Sequence, residues 1–200
     1  MNEKPWLTYP QLTEEKLIIV AQLISKARRE VAMLYEPEKG DRPWDRGCRA
    51  YSRSIFGIRE AAKKYSWLVP ITDESSLEFI FKIAGAPVRF CKAVDEEIPS
   101  KYLQQAAGET GWLALEFEQP TEVILRMVIH TKANGEASRI VLTEITDGVV
   151  TGEYVIPQVL PGTKPMAPPK HGPVVLPPPQ FGLKKDEQKK KDNIGNDNIS

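Results

Sequence analysis

From Leu12 onward, apolar residues recur at alternating intervals of three and four: Leu17, Val20, Ile24, Ala27, Val31 and Leu34. That spacing keeps them on one side of an α-helix. Thr13 stands where an N-cap belongs, Glu14 and Glu15 complement the helix dipole, and Pro37 with Gly40 ends the pattern. A second stripe runs through Cys48, Tyr51, Ile55, Ile58, Ala62 and Tyr65, starting near Asp41 or Asp45 with Pro43 in the first turn. Two helices of similar length, joined by a short polar segment, predict an antiparallel hairpin whose stripes face the core.

From Leu77 the period falls to two. Leu77, Phe79, Phe81 and Ile83 mark one strand, Gly85 and Pro87 a turn, and residues 88–93 the returning strand. Residues 94–108 predict an acidic loop and one short helix ending at Gly108, and residues 112–118 predict a third strand. Residues 122–132, 138–146 and 149–156 then predict a meander. Its turns carry Asn134-Gly135 and Asp147-Gly148, pairs suited to type I′ geometry with positive φ at both central residues. The expected fold class is α+β. An N-terminal antiparallel helical hairpin packs on a mostly antiparallel sheet of about six strands, and a disordered C-terminal tail follows.

Composition sets the boundary between the two parts. Eight of the 17 prolines fall in residues 158–200, where no apolar period remains, so residues 1–157 are read as the globular domain and 158–200 as a proline-rich, then lysine-rich tail. A domain of that length buries a core without disulfides or metal. The two cysteines, Cys48 and Cys91, lie in apolar patterns with no CxxC spacing and are expected as buried free thiols. The longest apolar run, LIIVAQLI, is far short of the ~20 residues a membrane span needs, and no signal peptide is visible, so a cytoplasmic protein is expected.

Charge is unevenly spread. Lysines plus arginines and aspartates plus glutamates number 27 each, yet residues 37–67 carry eight basic and four acidic groups while 68–157 carry seven and fourteen. Overall neutrality argues against avid nonspecific binding of nucleic acid by the whole chain.

Catalytic chemistry finds little support. With only His130 and His171, and no clustered Cys/His spacing, a zinc site is not expected; Asp95, Glu96 and Glu97 are carboxylates that counting leaves open to magnesium but read as a solvated loop, so no metal is expected. The chain lacks GxSxG, a P-loop and GxGxxG, so no cofactor is expected either. His130 alternates with Arg126 and Val128 on a strand and reads as a cross-strand polar partner. A magnesium-dependent, nuclease-like site would pair Asp73 with Glu78 and Lys82. Glu78 and Lys82 are four residues apart, about 13 Å at roughly 3.3 Å per residue, too far to share a metal.

Two binding features remain. On the polar side of the second helix stand Arg46, Arg49, Arg53 and Lys64, with Lys63 at the margin and Phe56 interleaved. Clustered cations around an aromatic ring suit phosphates and a stacked base, although Glu60 sits in the same patch. Arg89, inside VRFCK, is either a cross-strand ion-pair partner or an anchor for a ligand carboxylate or phosphate. The tail adds PMAP and the apolar VVLPPPQFGL, a composition suited to aromatic grooves. The expected function is that of a non-catalytic regulatory or accessory protein. It meets a protein partner through the helical hairpin and the proline-rich tail, and nucleic-acid binding by the second helix is the alternative.

Overall fold

The computed structural model describes residues 4–73, 78–106, 109 and 123–158. The chain divides into two units, Met1–Thr163 and Lys164–Ser200, and all described residues belong to the first. Residues 112–118, read as a strand, and the tail from residue 159 lie outside the described residues.

Helix α1 spans Glu14–Met33 and α2 spans Pro43–Ala62. The strands are β1 (Leu68–Pro70), β2 (Ile80–Ile83), β3 (Ala86–Lys92), β4 (Val123–Thr131), β5 (Ala137–Thr146) and β6 (Val149–Ile156). They form one sheet in the order β1-β2-β3-β4-β5-β6. Every neighbouring pair is antiparallel except β3 and β4, which are parallel and joined by the long connection between Lys92 and Val123. The architecture is α+β, a helical hairpin on one face of a mostly antiparallel sheet.

The core lies between hairpin and sheet. Leu12, Leu17, Val20 and Ile24 meet Phe81, Val88, Phe90, Met127, Ile129 and Leu142 there. These strand residues alternate with those of the opposite face, as a period of two requires. The stripe of α1 is buried as expected from Leu17 to Val31, whereas Leu34, the C-cap, is exposed; it is widened by Ile18, Ala21 and Arg28, because α1 touches both α2 and the strands β5 and β6.

The stripe of α2 differs from expectation. Its buried positions are Ala50, Ser54, Ile58 and Ala61, while Cys48 and Tyr65 are exposed. Of the expected stripe Ile58 is fully buried, and the rest of the seam is made of small residues. The larger Tyr51 and Ile55, together with Ala62, pack partly buried against the core, and the Tyr51 ring lies 5.1 Å from that of Phe90. A reading weighted by bulk therefore turned the helix by about one residue. Its start is also refined: Arg42 is the N-cap, Pro43 opens the helix, and Asp45 accepts the Arg42 N–H at 3.0 Å.

The turns hold two surprises. Asp147 and Gly148 have φ of 52° and 76°, as type I′ geometry needs, but in the other pair only Gly135 is positive, at 89°. The Gly135 N–H donates to Lys132 O, so this connection is a longer turn ending in a left-handed glycine, and the ladder shifts register at His130/Thr131. The second surprise is that Ala84 and Gly85 form the two-residue turn between β2 and β3, both with positive φ. Pro87 sits one residue before β3 meets β4, where its missing N–H costs no ladder bond.

Strand β1 was not expected from the sequence. The helix expected before Gly108 is one 3-10 turn at Ser100–Tyr102, and residues 107 and 108 lie outside the described residues. The two ends of the domain meet at α1. Tyr154 donates to Glu14, Ser25 donates to the Gln158 side chain at 2.7 Å, and the rings of Trp6 and Tyr154 are 5.3 Å apart.

Candidate functional site

The outer side of the helical hairpin, away from the sheet, is a groove of about 990 Å³ running between α1 and α2. Ile19, Leu23 and Ala27 of α1 and Phe56, Gly57 and Ala61 of α2 are its apolar walls. It exists because α2 turns small residues toward α1: nothing lies within 4 Å of a side chain built at Gly57. Phe56 is 66% exposed, a large apolar side chain that the domain's own core does not use. Charged residues line both lips. Glu15, Lys26 and Glu30 stand along α1, and Lys64, Glu60 and Arg53 along α2. Arg53 Nη1 faces Glu30 Oε2 across the groove at 3.5 Å.

The six residues read from the sequence as a basic face are thus divided. Arg53, Phe56 and Lys64 belong to the groove. Arg49 makes a two-point contact with Asp41, at 2.7 and 3.3 Å, and the hydrogen bond from the Glu36 N–H, followed by this contact, holds the Asp41 carboxyl below its ordinary range. Lys63 pairs with Glu60. Arg46 lies over the Tyr35 ring at 4.4 Å and donates to Ala133 O, so it grips the β4–β5 turn. A side chain added at Gly135 would meet Arg46 Nε at 2.7 Å. Arg28 joins that turn through Gly135 O, and burial together with the nearby Arg46 lowers its pKa to about 10.

The opposite face of the sheet is unusually polar. Arg89 and Arg126 are register partners on parallel β3 and β4, both buried. Two guanidiniums side by side out of water need a counter-charge. Glu109, 1% exposed, supplies it: its carboxylate takes two hydrogen bonds from Arg126, at 2.6 and 2.9 Å, and lies 3.9 Å from Arg89 Nη1. Arg126 also donates to the carbonyls of Tyr102, Gln104 and Leu125, holding the segment after β3 on the sheet. Arg89 faces Glu78 at 3.3 Å, the cross-strand partner expected from the sequence, and lies over the Tyr102 ring. The charged groups here are engaged with one another.

Farther along this face, Asp95 and Glu96 form a tight turn with both φ positive, a strained conformation for side chains of this size. Arg139 donates to Glu96 at 2.9 Å, and His130 Nδ1 lies 2.8 Å from the same carboxylate without the alignment of a hydrogen bond. Of the nuclease-like set, Lys82 is buried on β2 and Glu78 faces Arg89. Among the described residues no group of three His, Cys, Asp or Glu is arranged to hold a metal, and no helix is long and apolar enough to cross a membrane.

Sequence reasoning had found Phe56 and Arg53 but not the α1 wall. Ile19 and Leu23 flank the core stripe, and their apolar character was the available signal. Arg126, alone in the middle of VILRMVI, was the matching signal for the buried charge cluster. The chain matches no known protein family, no curated protein and no solved structure.

Proposed function

We propose that the protein acts by binding rather than by catalysis, as an interaction or regulatory subunit whose docking surface is the groove between α1 and α2. The observation that supports this most is Phe56, a large ring left exposed beside Leu23 and Gly57 in an apolar depression. An aromatic anchor within a charged rim is the arrangement that concentrates binding energy at protein interfaces. The proline-rich tail is a second contact by composition alone, through PMAP and VVLPPPQFGL.

A photoreactive amino acid placed at Phe56 in the full-length protein tests the groove in cells. The expected result is a discrete protein adduct that is absent when the same label replaces the equally exposed Val149. Identical adduct patterns from both positions, or none from Phe56, would overturn the reading.

Nucleic-acid binding through α2 is the weaker proposal. Arg49, Arg53 and Lys63 already face Asp41, Glu30 and Glu60, so a phosphate would have to displace a carboxylate at each. A gel-shift series at two salt concentrations is expected to show no complex. A complex whose affinity falls steeply with salt, and is lost on charge reversal at Arg49 and Arg53, would favour nucleic acid instead.

A further inference from the structure

The charges on the two lips of the groove follow an order. Taking the facing pair Glu30 and Arg53 as the origin, a rise of about 1.5 Å per residue puts Lys26 about 6 Å and Glu60 about 10 Å along the hairpin. On the same scale Glu15 lies about 22 Å and Lys64 about 16 Å along. The α1 lip therefore reads negative, positive, negative, and the α2 lip reads positive, negative, positive in the same order, the two outer pairs offset by about 4 and 6 Å, which long side chains can span. A surface built in this way is complementary to itself. A twofold axis parallel to the helices would lay α1 of one copy over α2 of the other, bringing Glu15 to Lys64, Lys26 to Glu60 and Glu30 to Arg53, each twice.

We propose that the occupant of the groove is a second copy of this chain, the two hairpins closing into an antiparallel four-helix bundle. This rests on the reading of the groove as a docking surface. In the bundle every helix has antiparallel neighbours, the arrangement most compatible with short connections and with the helix dipoles. Phe56 of each copy comes level with Ala27 of the other and about 6 Å from Leu23, and the open space at Gly57 leaves room beside the ring. Two helices about 30 Å long and about 10 Å wide present roughly 600 Å² per copy. Doubled, this reaches about 1,200 Å², the lower end of what specific interfaces bury. The dimer is therefore expected to be reversible, and its contacts isologous.

Sedimentation equilibrium of the full chain across a concentration series reads this directly. The expected result is a reversible rise from the 22.5 kDa monomer toward twice that mass. Phe56→Asp is expected to raise the dimer Kd about tenfold or more. Arg53→Glu, which sets carboxylate against carboxylate, is expected to do the same, and adding Glu30→Arg to it is expected to restore association. Both positions are exposed, so circular dichroism should report folded variants. A monomer at all concentrations, or a dimer indifferent to these substitutions, overturns the second copy as occupant. If the Phe56 photoadduct with another protein survives that outcome, the docking groove stands and its occupant is a different chain. If no adduct forms either, both readings fall.

Discussion

Cys48 and Cys91 are the same side chain in opposite settings, and both were expected to be buried. Cys91 lies on β3 under Ala93, Val128 and Tyr102, and burial pushes its thiol up to about 11, although Arg126 and Arg89 pull the other way. Cys48 faces solvent on α2. A thiol reacts as its thiolate and only where a reagent reaches it. Native protein at pH 8 is therefore expected to release one equivalent of chromophore from an aromatic disulfide reagent promptly, and a second only in denaturant. Two fast equivalents would mean that the β3 face opens readily.

Among the elements, β4 depends most on one side chain. Arg126 satisfies Glu109 and three carbonyls at once, so Arg126→Met leaves the buried carboxylate without its two charge-assisted hydrogen bonds and with Arg89 3.9 Å away. The expected loss is about 3–5 kcal/mol in a urea melt. Adding Glu109→Leu should recover part of that loss, because a buried carboxylate left with only the distant Arg89 and the Ala106 N–H is removed; a double variant less stable than Arg126→Met alone would contradict this account. How far such features could be read from sequence follows from what sets them. The stripe of α1 was legible because large aliphatic residues repeat at helical spacing. The seam of α2 was not, because Ala50, Ser54 and Ala61 mark it by being small. The Asp147-Gly148 turn was legible because its backbone demands those residues, whereas Asn134-Gly135 serves a turn of different length. The ion pair of Arg89 with Glu78 was local and foreseeable. The part of Glu109 depends on a long connection folding back, and no local pattern encodes that. At the groove, Phe56 stood out as an aromatic on a polar side, but the opposing lip charges acquire meaning only once the two helices are set level with each other.

For the whole domain, protection should grade across the sheet. Strand β4 pairs on both sides and is buried along nearly its entire length, whereas β6 is an edge strand with exposed residues and β1 has three residues. Local openings that release edge strands need not disturb the centre. In native-state hydrogen exchange, the amides of Met127 to Ile129 are expected to be slowest, and those of β1 and β6 clearly faster. Equal protection in β4 and β6 would show that the sheet opens only as a unit.

The meeting of α1 with the end of β6 bears on how the protein is made. When the ribosome has synthesised Lys92, both helices and β1–β3 exist, but β5 and β6, on which α1 rests, do not. Leu17, Val20 and Ile24 then belong to a nascent chain with half of its interior missing. Tyr154 and Gln158, which join Glu14 and Ser25, are among the last residues of the domain to emerge. The fold therefore closes after translation has passed them, and until then the growing chain presents a greasy helical face of the kind that ribosome-bound chaperones shield.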